Sequence, residues 1–325
     1  MCVPTRPAAL LLLAGLLAGC GGGPADSAAP DRAPAVAGSA PGGPGGGPPA
    51  AAAGTGAAAA LAAPVPDLDP GQDPGLVHVH GLGVDPADGR LYAAAHTGLF
   101  RVADDTAPER VAGRLHDVMG FAVVGPGEFL ASGHPDPRQD LPAHLGLLRS
   151  TDAGTTWEAV SLLGEADFHA LAAGGDRVYG WDSSRSRLLA SRDRGATWER
   201  VQPGLAQVHA LAVDPADPDV VLAADGRGQV LRSADGLVTV EPVAPAGTAV
   251  LLSWDADAGL VAADAQGRVR HSGDGGATWE ERGSLGGAPA ALLATPQRLV
   301  AATHTDVLES TDGGRAWSPY RLPAG

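Results

Sequence analysis

Beyond residue 75 the chain alternates between short apolar runs and short polar breaks, and the breaks carry Asp, Pro and Gly. That is the pattern of short strands joined by tight turns. In residues 207–243, Val208 to Asp214 predicts a strand, Pro215 to Asp219 a turn, and Val220 to Ala224 a second strand. Gln229 to Arg232 predicts a third strand and Val238 to Val243 a weak fourth. Six such units can be laid end to end, beginning near Val77, Leu115, Asp167, Gln207, Gly247 and Gly286. The second strand is the most regular. Leu91-Tyr92-Ala93-Ala94-Ala95-His96 is matched by Phe129-Leu130-Ala131-Ser132-Gly133-His134 and Val178-Tyr179-Gly180-Trp181-Asp182. Val221 to Asp225, Leu260 to Asp264 and Leu299 to His304 complete the set. Small residues in the middle of each copy suit sheets that pack face to face close to an axis. The expectation is an all-β, six-bladed β-propeller, or a seven-bladed one if a closing strand is miscounted.

A second string marks the break between the third and fourth strands. Ser272-Gly273-Asp274-Gly275-Gly276-Ala277-Thr278-Trp279 is its fullest copy. Others run from Ser150 to Trp157, Ser191 to Trp198 and Ser310 to Trp317, and a worn one begins at Ser233. The aspartates Asp152, Asp193, Asp235, Asp274 and Asp312 recur at about 40 residues, the period of a four-stranded blade. An Asp here can accept backbone N–H groups of the following turn. Gly276 supplies a backbone conformation other residues resist, and Trp279 offers a large ring to bury between sheets. One aspartate per blade cannot build one active site, so these five are read as structural. At this string the sequence resembles the Asp-box (BNR) repeats of sialidase-like β-propellers. His78-Val79-His80-Gly81-Leu82, Met119-Gly120-Phe121, Ser132-Gly133-His134-Pro135 and Asp167-Phe168-His169 resemble a group of bacterial Asp-box lipoproteins labelled glycosylhydrolase. The resemblance covers residues from about 76 to 320.

Composition divides the chain. Residues 21–75 are nearly all Ala, Gly and Pro, with little apolar surface to offset the entropy of ordering, and are expected to form a flexible linker. About 250 residues remain, enough for one large β domain. Residues 8–19 are an apolar run after Arg6, too short for a stable transmembrane helix, ending in Leu17-Ala18-Gly19-Cys20. This resembles a lipobox. It implies a signal peptide over 1–19, lipidation of Cys20, a tether to residue 75 and a propeller over 76–325. The protein is then expected to be exported and held by its lipid on the outer face of a bacterial membrane. Both cysteines, Cys2 and Cys20, precede the folded part, so no disulfide braces it. The formal net charge is −15 and there is no lysine, which sets nucleic acid aside as a partner.

Antiparallel topology then sorts the histidines. The turn string lies at the face opposite the one where strand one begins and strand two ends. His80-Gly81-Leu82-Gly83-Val84-Asp85-Pro86 aligns with His209-Ala210-Leu211-Ala212-Val213-Asp214-Pro215, with His169 to Ala172 and with Met119 to Ala122. His80, Met119, His169 and His209 are therefore expected at one level around the axis. Two residues earlier come His78, Asp117, Asp167 and Gln207. Units five and six offer Leu251 and Ala290 in the ring, which would leave it lopsided. Farther out lie the ends of strand two: His96, His134, Asp182, Asp225, Asp264 and His304. Imidazoles with a thioether suit copper, and imidazoles with Asp117 or Asp167 suit zinc. His116, His144 and His271 fall outside the pattern.

Three functions stay open at this stage. The first is a lipid-anchored propeller binding copper, zinc or a small ligand at the His-rich mouth. The second, implied by the resemblance, is a glycoside hydrolase acting on a glycan through Asp117 and Asp167, whose separation decides the mechanism. A true sialidase is disfavoured, because no arginine stands at the ring positions, and Tyr92 and Tyr179 sit inside apolar strand strings. The third is a scaffold or assembly factor, like the Asp-box propellers that assist photosystem assembly.

Overall fold

A computed structural model describes residues 59–61, 63–66, 68–69, 71–102, 107–243, 247–303 and 306–320. The expected signal peptide, Cys20 and most of the expected linker lie outside the described residues. The described part is a six-bladed β-propeller, each blade a four-stranded antiparallel sheet of consecutive strands. The inner strands are β1 (Val79–Val84), β5 (Asp117–Gly125), β9 (Phe168–Gly174), β13 (Val208–Val213), β17 (Leu251–Asp255) and β21 (Pro289–Ala294). The second strands are β2 (Leu91–Ala95), β6 (Glu128–His134), β10 (Arg177–Asp182), β14 (Val221–Asp225), β18 (Gly259–Ala263) and β22 (Leu299–Thr303). Each inner strand touches the next, and β21 touches β1, so the ring closes around a channel.

The second strands are the driest part of the molecule. Tyr92, Phe129, Leu222, Leu260 and Ala301 are completely buried or nearly so, and the alanines between them let neighbouring sheets approach. Core clusters span adjacent blades, as where Ala210 and Leu222 of the fourth blade meet Leu252 and Leu260 of the fifth. Closure uses the same packing, with no exchanged strand among the described residues. Val79, Leu82 and Val102 of the first blade pack with Ala291, Val300, Val307 and Tyr320 of the sixth.

The repeated Ser-Xaa-Asp turns share one hydrogen-bond pattern. Ser272 Oγ accepts from the Gly276 N–H at 2.8 Å and donates to Asp274 Oδ1 at 2.8 Å. Asp274 accepts from the Thr278 N–H at 2.8 Å and the Thr278 hydroxyl at 2.6 Å. Asp152, Asp193 and Asp235 repeat this arrangement, and Asp312 accepts from the Ala316 N–H instead. These turns lean on the loops between first and second strands: the Ala153 N–H donates to Gly127 O, Arg194 to Asp176 and Gly236 to Asp219, each at 2.9 Å. That fixes one face of the disc as the turn face and leaves the other for the ends of the second strands.

The chain joins the propeller before residue 76. Leu61 is fully buried in a cluster with Val118, Phe121 and Leu145. Gln139 donates to Ala60 O at 2.6 Å, Arg114 to Ala63 O at 3.1 Å and Arg138 to Pro66 O at 2.5 Å. One buried leucine and these hydrogen bonds to backbone carbonyls dock a segment that composition alone reads as linker. No helix among the described residues is long and apolar enough to cross a membrane.

Candidate functional site

A backbone irregularity aims the ring residues. The pairing of first and second strands slips by one residue between Val79 and Gly81, Val118 and Gly120, Phe168 and Ala170, and Val208 and Ala210. The residue left over is His80, Met119, His169 or His209. A β-bulge takes its extra side chain out of the strand's alternation. Here the four line the narrow throat of the channel, a cavity of ≈ 110 Å³. The sixth blade repeats the slip at Ala290. In the fifth, Leu251 pairs with Ala263, so the matching residue is Val250, one before the expected Leu251. The ring is lopsided as expected. The wider cavity, ≈ 710 Å³, lies at the turn face and is lined mainly by the apolar far ends of the inner strands. The titratable groups gather at the other end.

There, Asp117 at the start of β5 collects three imidazoles. His80 Nε2 is 3.6 Å from its Oδ1, and His96 Nδ1 and His134 Nδ1 are each 3.1 Å from its Oδ2. His134 reaches on to the third blade, with Nε2 3.6 Å from Asp167 Oδ2. The same Asp167 oxygen is hydrogen-bonded to His169 Nε2 at 2.9 Å and accepts from the Ser183 hydroxyl at 3.0 Å. Imidazole and carboxylate thus alternate across three blades. His78 flanks the line, its ring 4.9 Å from that of His80, and holds a left-handed backbone (φ 55°) in which its carbonyl accepts from the His96 N–H. Gly133 is required for the close approach on the other side. A Cβ there would run into the Asp117 carbonyl oxygen, and its φ of 145° is one that side chains rarely adopt.

Burial separates the members. The His80 and Asp117 side chains are 14% exposed and that of His96 62%. Burial pushes His80 down to about 4, helped by the nearby His78, His96 and His169 and opposed by Asp117, so it is neutral at physiological pH with one lone pair free. Burial pushes Asp167 up, but its hydrogen bond to His169, the charges of His169 and His134, and Ser183 together hold it below the usual carboxylate range. The bond to Asp167 raises His169 in turn.

The structure corrects parts of the expected constellation. Asp182, Asp225 and Asp264 do not stand level with His96 and His134. Each pairs one residue earlier on its strand or folds onto its own loop. Asp182 accepts from the Asp167 N–H and the Ser184 hydroxyl, Asp225 from the Arg227 and Gln229 N–H groups, and Asp264 from those of Gln266 and Arg268. They shape turns. Met119 and His209 line the throat, His209 outside both groups of converging His and Asp ligand atoms, and His304 lies outside the described residues. His144, unassigned from sequence, stands beside the line with its ring 5.8 Å from that of His134. It sits in a loop between strands, where no repeat register could have flagged it.

The ligand atoms of His80, His96 and Asp117 lie within 4.8 Å of one another, and those of His134, His144 and Asp167 do likewise. Zinc held tetrahedrally at 2.0–2.1 Å has ligand–ligand edges of about 3.3 Å. His96 Nδ1 is 3.1 Å from Asp117 Oδ2 and His80 Nε2 3.6 Å from Oδ1, both near that edge but on the two oxygens of one carboxylate. His80 Nε2 and Asp117 Oδ1 face each other buried and without a hydrogen bond, which is costly unless a cation or proton lies between them.

No family model matches the chain. It is 32% identical over 97 residues to the Dispase autolysis-inducing protein of Streptomyces mobaraensis, a stretch covering 30% of this chain and 25% of that protein. It is 35% identical over 97 residues to a xyloglucanase of Hypocrea jecorina, covering 26% of this chain and 12% of the enzyme. The matches therefore span a quarter or less of those relatives. Similar folds include a GH74 enzyme of Niastella koreensis (TM-score 0.57, 16% identity, 75% of this chain and 45% of that one). A GH74 xyloglucanase of Xanthomonas campestris is also similar (TM-score 0.52, 19% identity, 75% and 45%). At these identities the likeness is one of fold, and fold does not fix chemistry.

Proposed function

We propose that this protein is an exported, lipid-anchored propeller that binds a divalent transition-metal ion at His80, His96 and Asp117. Zinc fits better than copper, because a carboxylate joins the imidazoles. The carrying observation is the buried pair of His80 Nε2 and Asp117 Oδ1, 3.6 Å apart and unpartnered, with His96 Nδ1 3.1 Å from the same carboxylate. Three protein ligands leave a fourth position open, the arrangement of a site that presents its metal to a water or small ligand. His96, largely exposed, places that position at the mouth. Cys20 would supply the anchor, a diacylglyceryl group whose two chains would hold a polar, acidic domain at the outer membrane face. The test is thermal unfolding with and without zinc. At a hundredfold excess over Kd, wild type gains about 2.7 kcal/mol, or about 5–10 °C for a domain of this size. His96→Ala and Asp117→Asn lose the part of the gain that this site supplies. An unchanged melting temperature in wild type rejects the site.

Glycoside hydrolysis is the second reading, favoured by the 97-residue match to a xyloglucanase. Asp117 and Asp167 would be the carboxylate pair. The His134 ring stands between them, and the low pKa of Asp167 suits a base better than an acid. Assaying xyloglucan and chromogenic glycosides with wild type and Asp167→Asn separates the readings. Hydrolysis abolished in Asp167→Asn and indifferent to zinc would favour this one.

A further inference from the structure

We infer that a second divalent-cation site adjoins the first, formed by His134, His144 and Asp167. It extends the metal reading to residues outside the first site and carries its own observations. The ligand atoms of these three side chains lie within 4.8 Å of one another. The Asp167 side chain is only 6% exposed, yet its Oδ1 is buried with no partner, and so is His144 Nδ1. Two orphaned buried atoms in one group of side chains, each able to present a lone pair, mark a place where a cation is wanted.

The tautomer of His134 points the same way. Its Nδ1 is hydrogen-bonded to Asp117 Oδ2 at 3.1 Å. A carboxylate only accepts, so Nδ1 carries the proton. In the neutral ring the Nε2 lone pair then faces Asp167 Oδ2 at 3.6 Å. That distance is too long for a hydrogen bond, and it sets a lone pair against an anionic oxygen. A cation between Nε2 and Asp167 turns that repulsion into ligation. Histidines that bind metals commonly donate their other N–H to a carboxylate, which fixes the ring and raises its basicity. Here that carboxylate is Asp117, itself a ligand of the first site. Ser183 and His169, both on the Asp167 Oδ2 atom, would hold the second carboxylate in place in the same manner.

The link makes the two sites interdependent. A cation on Asp117 draws electron density from the oxygen that accepts from His134, and so lowers the basicity of His134 Nε2. Two nearby cations also repel. The second ion is therefore taken up more weakly than the first, in two resolved steps.

Cobalt(II) is the probe, because its visible absorption reports coordination by protein ligands. The full chain is titrated with Co²⁺, alongside His96→Ala, His144→Ala and the gentler His144→Gln, each checked by circular dichroism for a native sheet spectrum. Wild type is expected to saturate at two equivalents and each variant at one. Saturation of wild type at one equivalent, unchanged in both His144 variants, overturns the second site and leaves the first. One equivalent lost in the His144 variants but kept in His96→Ala supports the second site and removes the first. No cobalt spectrum in wild type overturns both.

Discussion

Asp136 shows what a single side chain holds together outside the metal cluster. It is fully buried, and its oxygens accept from the Leu115 N–H at 2.8 Å, the Arg138 N–H at 2.9 Å and Arg138 Nε at 2.8 Å. Arg138 also donates to the carbonyls of Gly113 and Pro66, so the pair ties the segment before residue 76 to the second blade. Burial pushes the Asp136 carboxyl up, but these hydrogen bonds outweigh it and bring the group to about 2. The folded value is lower than the unfolded one near 3.9, so the group stabilises the fold above about pH 4 and loses that contribution as pH falls through 2. Wild type should be more stable than Asp136→Asn at pH 6, and that lead should shrink by about 2 kcal/mol by pH 2. Urea unfolding of both proteins across this range checks it, and a constant difference would sink the assignment. Such a role was hidden in the sequence, because Asp136 and Arg138 lie in a loop between strands and Pro66 in a stretch that reads as linker. His80, Met119, His169 and His209 were legible, because each repeats a neighbour's strand with one position exchanged.

At the scale of an element, the blade turn is strongly specified and tolerates erosion. The turn from Ser233 keeps all its hydrogen bonds although Leu237 stands where other copies carry glycine. Leu237 adopts a φ of 67°, a conformation that costs a side chain about 1–2 kcal/mol. It is also fully buried in a cluster with Tyr179 and Val221. Removing a buried leucine costs about 3–5 kcal/mol, more than the strain it relieves. Leu237→Gly is therefore expected to lose about 2 kcal/mol in urea unfolding, and a variant as stable as wild type contradicts that balance. The strand bulges are the opposite case. Alternation of apolar and polar residues predicts a regular strand through His80 and Met119. The one-residue slip that aims them appears only when two strands are paired. The fifth blade pairs without a slip, which is why Leu251 was one place off, and Asp182 and Asp225 pair where Ala95 does, one residue short of the position of His96.

At the scale of the molecule, the two faces divide the work. The turn face holds the Ser-Xaa-Asp turns and the wider cavity, and the opposite face holds the narrow throat with its imidazoles and the His–Asp line beside it. Six blades, their strand order and this division were readable from repeats of about 40 residues. The closure was not, because blades one and six meet by packing of Val79, Leu82 and Tyr320, with no strand shared among the described residues. Blades one to three supply every member of the His–Asp line, so the site belongs to one half of the ring. The central claim is that His80, His96 and Asp117 hold a metal ion. X-ray diffraction at the zinc absorption edge, from crystals of the protein grown with zinc, tests it most directly. An anomalous peak is expected about 2.0–2.2 Å from His80 Nε2, His96 Nδ1 and an oxygen of Asp117. Ordered side chains there with no peak, and zinc found only at other places on the surface, would contradict it.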